Sequence, residues 1–148
     1  MTYLTRRTLE VIANDNVEAA VYIYAESNSK DATNSIEYIS KVILNYADLP
    51  LGKYRLGWNY NWSMTSTNHD FKAQIINGAS IFHEHIQELK DSGNNPPAQV
   101  PNNSGFTVVN LTGTGTIELQ YCSGRNTKSA SIWNARLELE RVEYNVGS

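Results

Sequence analysis

The chain has 148 residues, of which 41% are hydrophobic and 18% are charged. This length suits a single domain, and the apolar content is sufficient for a buried core. The 12 Lys and Arg residues against 15 Asp and Glu residues give a formal charge of −3. No basic run is long enough to follow a phosphate backbone, which argues against nucleic acid as a partner. The single cysteine, Cys122, excludes an internal disulfide.

The first 15 residues are predicted to form an N-terminal arm, followed by one domain over residues 16–148. A pair of arginines, Arg6 and Arg7, is followed by an apolar stretch that breaks at Asn14. We therefore expect no signal peptide and synthesis in a cytoplasm. No segment approaches the roughly 20 apolar residues of a membrane-spanning helix, so no membrane insertion is expected.

Alternating apolar and polar residues predict strands over residues 18–25, 36–46 and 54–65. The third is the clearest, because Tyr54, Leu56, Trp58, Tyr60, Trp62 and Met64 share one phase and small or polar residues occupy the other. This phase is predicted to face a core. Residues 26–35 are predicted to form a connection, and Leu49-Pro50-Leu51-Gly52 a turn before the aromatic strand.

Further strands are predicted over residues 71–76, 80–86, 106–111, 116–122 and 131–141. Asn77-Gly78 predicts a tight hairpin between the first two, because both residue types tolerate positive φ. The segment from Leu89 to Gly105 is long for a compact domain and is predicted to be a contact loop. In the last strand, Trp133, Ala135, Leu137 and Leu139 are predicted to face the core together.

About eight short strands without a βαβ rhythm predict an all-β fold, and we expect an antiparallel β-sandwich of jelly-roll type. The main alternative is an immunoglobulin-like sandwich. The chain lacks the Cys…Trp…Cys spacing of antibody-type domains. The jelly roll is therefore preferred.

The pair His83 and His85 is the strongest candidate for metal chemistry, because alternate residues of a strand lie about 7 Å apart on one side. His69 and Asp70 are the available candidates for a third ligand, but the sequence does not fix their position relative to the pair. We therefore expect no metal and interpret both histidines as contact residues at a subunit interface or on a half-exposed sheet face. No nucleophile elbow, phosphate loop or dinucleotide fingerprint is present. We predict neither a cofactor nor catalysis.

Exposed aromatic residues on a sandwich can bind sugars or other proteins. Trp58, Tyr60 and Trp62 are assigned to the core, whereas Tyr22, Tyr24 and Tyr38 are predicted to contribute to an exposed or subunit-facing patch. The full set of predicted partner contacts is Tyr22, Tyr24, Tyr38, His83, His85, Asn94, Asn95, Pro96 and Pro97. A carbohydrate-binding module remains an alternative.

The segments 49–58, 70–73, 82–85 and 134–142, in this order, resemble small jelly-roll proteins of tailed bacteriophage particles. The resemblance spans residues 36–142 and rests on the pattern and order of strands. It implies a non-enzymatic virion component, commonly a homotrimer, that binds other virion proteins such as the major capsid protein. Capsid decoration or a head fibre is the leading expectation. The alternative is a tail-fibre or receptor-binding domain that recognises a host surface glycan.

Overall fold

A computed structural model describes residues 20–89 and 101–143 of the chain. Within these residues the secondary structure consists of strands, and every pairing between them is antiparallel. The strands are β1 (Tyr22–Ser27), β2 (Asp31–Thr33), β3 (Ile39–Met64), β4 (Asp70–Asn77), β5 (Ser80–Glu88), β6 (Asn102–Ser123) and β7 (Ala130–Glu143). In the same residues no helix is long and apolar enough to cross a membrane.

The two longest strands, β3 and β6, pair along almost their entire lengths and belong to both layers of a sandwich. Residues 53–64 of β3 pair with β7, and β7 also pairs with β1 and β2. These strands and residues 102–111 of β6 form sheet I. Residues 39–49 of β3, residues 113–123 of β6, β4 and β5 form sheet II. The fold is an antiparallel β-sandwich of jelly-roll type, as the sequence predicts.

The change of layer occurs where the ladder between β3 and β6 is interrupted. Its register shifts between Tyr46 and Leu49 and again between Leu49 and Gly52. Asp48 has φ 54° and Gly113, which pairs with Leu49, has φ 78°. Bulges of this kind bend a strand and increase its twist. They allow the paired strands β3 and β6 to pass from sheet I to sheet II.

The core lies between the two sheets and is dense in aromatic rings. Phe71 of sheet II is fully buried, and its ring centroid lies 5.0 Å from that of Trp62 in sheet I. Tyr54, Leu56 and Tyr60 are also fully buried, as their predicted phase requires. At about 25 cal/mol per Å² of apolar surface, this burial is the main contribution to stability.

Three sequence predictions are corrected by this arrangement. The segment around Pro50 is not a turn between two strands, because β3 continues through it by bulging. β6 likewise joins two predicted strands, so the described residues form seven strands, close to the expected number. The predicted connection 26–35 contains β2. Trp133 faces away from the core because Asn134, with φ 49°, lies at the register shift that reverses the phase of β7; Ile132 is fully buried instead. The hairpin at Asn77-Gly78 is confirmed, with Gly78 at φ 59°.

Candidate functional site

The outer face of sheet I collects exposed aromatic and charged side chains from four adjacent strands. Because paired residues of neighbouring strands point to the same side, the registers define rows across this face. The first three rows, each in the order β1, β7, β3, β6, are Tyr22–Glu140–Arg55–Val108, Tyr24–Glu138–Gly57–Phe106 and Glu26–Arg136–Asn59–Ser104. We call this surface the outer face of sheet I.

Hydrogen bonds hold the β1 side of this face in one arrangement. The hydroxyl of Tyr22 donates to Oε1 of Glu138 over 2.8 Å and accepts from Arg136 over 2.9 Å. Arg136 also donates to Oε1 of Glu26 over 2.9 Å. Its guanidinium carbon lies 3.9 Å from the ring centroid of Tyr24, a cation–π contact. These residues lose little further side-chain freedom when a partner binds, which favours affinity.

The β6 side of the same face repeats the combination of a cation and an aromatic ring. The guanidinium of Arg55 lies 4.5 Å from the ring centroid of Phe106. Phe106 and Val108 are 59% and 51% exposed, and Tyr22 and Tyr24 are 52% and 53% exposed. Between the two sides lies Gly57, where a methyl group would come within 3.2 Å of Arg55 and of Glu138. Glycine therefore allows these two charged side chains to converge over the centre of the face.

Beyond these rows lies a cluster of amide and hydroxyl groups. Asn102 donates from Nδ2 to Oδ1 of both Asn59 and Asn61 over 2.9 Å, and Ser104 donates to Asn59 and Asn102. Trp133 pairs with Asn61 in the register, and the amine of Lys30 lies 4.5 Å from its ring centroid. This end of the face offers polar groups beside an indole.

His83 and His85 lie on the opposite side of the core from this face, in β5, and point into the sandwich. The ring of His83 stacks on Trp58 at 4.2 Å between centroids. His85 is buried, with Nε2 donating to Oε1 of Gln87 and Nδ1 accepting from the hydroxyl of Tyr60, each over 2.8 Å. Burial lowers the pKa of both histidines; in His83 the neighbouring His85 lowers it further.

This placement corrects the prediction that His85 contacts a partner, because its side chain is enclosed by the core and both ring nitrogens are engaged. The described residues contain no group of three or more side chains arranged to hold a metal ion. Tyr38 is half-buried, and desolvation raises its pKa. Burial also raises the pKa of the Cys122 thiol, which disfavours its reactive thiolate form.

Of the predicted contact residues, Tyr22 and Tyr24 are brought together on the outer face of sheet I, 6.2 Å apart between ring centroids. Asn94, Asn95, Pro96 and Pro97 lie outside the described residues, as does the predicted arm over residues 1–15. Arg55, Phe106 and Arg136 are members of the face that the sequence analysis missed. The available signal was in β6, where Phe106 and Val108 occupy one phase and Val109 and Leu111 the other. Apolar residues in both phases indicate contacts on both sides of a strand.

Comparison with known proteins supports the fold and no family. No protein-family model and no curated protein matches the chain. Among solved structures, it is similar to Eiger TNF from S. frugiperda, with 6% identity, a TM-score of 0.57 and coverage of 86% of this chain and 95% of that one. It is also similar to dimeric latent PorU from Porphyromonas gingivalis, with 4% identity, a TM-score of 0.58 and coverage of 87% of this chain and 13% of that one.

A third similarity is to the VP2 subviral particle of infectious bursal disease virus, with 9% identity, a TM-score of 0.49 and coverage of 99% of this chain and 43% of that one. The chain thus spans a small part of PorU and less than half of VP2. At these identities the likeness to Eiger and PorU establishes the fold alone. A jelly-roll sandwich of this kind is compatible with a structural or a binding role.

Proposed function

We propose that this chain is a non-enzymatic structural protein of a bacteriophage particle, and that it acts by binding copies of itself and other virion proteins. Capsid decoration or a head fibre is the leading role, and its place is the virion. The sequence resemblance supports the phage assignment, and the jelly-roll fold is compatible with it. A tail-fibre role is the alternative within the same class.

The observation that carries the proposal is the outer face of sheet I. Tyrosine, arginine and phenylalanine side chains are enriched at the energetic centres of protein interfaces. Here Tyr22, Tyr24 and Phe106 are about half exposed. The guanidinium groups of Arg136 and Arg55 lie over the rings of Tyr24 and Phe106. A surface with this composition and order is expected to bind a protein.

The proposal is tested by sedimenting the purified chain with capsid shells of the parent phage. The double variant Tyr22→Ala/Phe106→Ala removes one aromatic group from each side of the face, and we expect binding to weaken at least tenfold. The matched control is Gln74→Ala, because Gln74 lies on the outer face of sheet II, where it donates to Gln120. Absence of binding by the unmodified chain, or equal binding by the double variant, would contradict the proposal.

A carbohydrate-binding module is the second candidate, and the amide cluster beside Trp133 favours it. Amide and hydroxyl groups can hydrogen-bond to sugar hydroxyls, and an indole can stack on a sugar ring. The test is titration of the chain with bacterial surface glycans while tryptophan fluorescence is recorded. A saturable change that is lost in Trp133→Ala would support glycan recognition; no change across the glycans would reject it.

A further inference from the structure

The arrangement of charges on the outer face of sheet I is asymmetric across its width. The side formed by β1 and β7 carries the carboxylates of Glu26, Glu138 and Glu140, with Arg136 engaged by Glu26 and Tyr22. The side formed by β3 and β6 carries the cations Lys53 and Arg55 together with the apolar side chains of Phe106 and Val108. One side is therefore acidic and the other basic.

We propose that this face binds a second copy of the chain around a two-fold axis that runs along the strands, between β7 and β3. The inference rests on the proposed function, since it names the partner of the same surface. Rotation about this axis exchanges the side formed by β1 and β7 with the side formed by β3 and β6. Each row of one copy then lies opposite the same row of the other copy. An interface of this type is isologous, so every contact occurs twice.

The rows show what this axis brings together. In the first row Glu140 of one copy lies opposite Arg55 of the other, and Tyr22 lies opposite Val108. In the second row Tyr24 lies opposite Phe106. Carboxylate meets guanidinium, and aromatic meets apolar, in both halves of the interface. The strands of two packed sheets cross at about 30°, which is reached when each sheet inclines by about 15° to the axis.

The area of the face places the contact among small protein interfaces. Four strands, each about 4.8 Å wide, cover about 19 Å, and residues 53–61 of β3 extend for about 27 Å, which gives about 500 Å² in each copy. The two copies together bury about 1,000 Å² in projection, near the lower limit for a specific interface. We therefore expect a dimer that dissociates on dilution.

A charge-reversal experiment tests the pairing between copies directly. The variant Arg55→Glu places two carboxylates opposite each other at both central positions of the first row, and Glu140→Arg places two guanidinium groups there. Each variant alone is expected to associate at least tenfold more weakly than the unmodified chain. An equimolar mixture is expected to recover the dimer, because the carboxylate introduced at position 55 of one chain then faces the guanidinium introduced at position 140 of the other.

The mixture separates contacts between chains from contacts within a chain. In each single variant residues 55 and 140, which are register neighbours, carry like charges, and mixing does not change that. Circular dichroism and urea unfolding of each variant confirm that it folds. The matched control is Glu84→Arg, an exposed strand carboxylate on the outer face of sheet II, which is expected to leave association unchanged.

Light scattering across a dilution series up to about 100 µM, which detects a dimer whose Kd is near or below that concentration, reads out the result. Recovery of dimer mass only on mixing supports the two-fold contact. A mixture that stays monomeric while the unmodified chain dimerises would overturn it, and so would an unmodified chain that stays monomeric. Either of these results leaves the binding of the chain to capsid shells untouched, because sedimentation tests that binding separately. Failure of the two-fold contact is therefore distinguishable from failure of the proposed function.

Discussion

Acidification is predicted to destabilise the fold through His83 and His85, which lie between β5 and sheet I. An unfolded histidine takes up its proton near pH 6.5. Burial lowers the pKa of both side chains in the folded protein. Between the unfolded and folded pKa values the unfolded chain therefore binds more protons, and stability falls as the pH falls. The stabilisation is complete above the unfolded pKa and is lost as the pH falls through the folded pKa.

The magnitude follows from the number of titrating groups. Each histidine contributes at most about 1.4 kcal/mol per pH unit in this window, so the pair contributes at most about 2.7 kcal/mol per pH unit. The share of His83 is smaller than this limit because its ring is partly exposed and a hydrogen bond with Asn103 raises its pKa. His85, enclosed by Tyr60, Trp62 and Phe71, is expected to contribute the larger part.

The assay is urea unfolding at about pH 7.5 and about pH 5.5, above the range where unperturbed carboxylates titrate. The variant His83→Gln/His85→Gln removes both titrating groups, and we expect the change in unfolding free energy between the two conditions to fall by more than half. His69→Gln is the control, because His69 lies in the connection before β4 and contacts Ser66. An unchanged pH dependence in the double variant, or greater stability of the unmodified chain at the lower pH, would rule out this role of the two histidines.

Three further experiments test contacts that position both sheets. Gly105→Ala is expected to cost about 1 to 3 kcal/mol and to shift tryptophan emission, because the new methyl group would lie 2.9 Å from the ring of Trp58; unchanged emission would contradict the contact. Asp31→Asn is expected to destabilise the fold more than the double variant Lys41→Met/Asp31→Asn. The single change leaves the buried Lys41 amine without the carboxylate that lies 2.5 Å away. A double variant that is less stable than Asp31→Asn in urea unfolding would argue against this. Leu119→Ala, at a fully buried side chain, is expected to cost about 2 to 5 kcal/mol in the same assay, and a cost below about 1 kcal/mol would show that the core is less well packed there.

The fold class was predictable because the side-chain period of a strand survives in the sequence wherever one face is buried. The phase of Tyr54 and Tyr60 was correctly assigned, and the hairpin at Gly78 followed from turn chemistry. The passage of β3 through Pro50 was not predictable, because a bulged strand and a turn use the same residue types. The orientation of Trp133 was not predictable either, because of the bulge at Asn134. One extra residue in a strand moves the side chains on one side of the bulge to the opposite face of the sheet.

The outer face of sheet I was predictable only in part. Tyr22 and Tyr24 are aromatic residues of a short strand whose pattern does not assign them to the core. Their prediction as exposed contact residues rests on this. Their partners Arg136 and Glu138 come from a strand more than 100 residues away in the chain. A register between distant strands has no local sequence signature, so this network emerges only from the three-dimensional structure.

Assembly as the function of this chain is tested most simply by its solution mass, measured by light scattering across a dilution series. We predict a mass that approaches twice 16.6 kDa at high concentration and falls toward 16.6 kDa on dilution. A trimer, the state implied by the sequence resemblance, would support assembly but overturn the two-fold contact. A mass of 16.6 kDa at every concentration would contradict self-assembly through the outer face of sheet I.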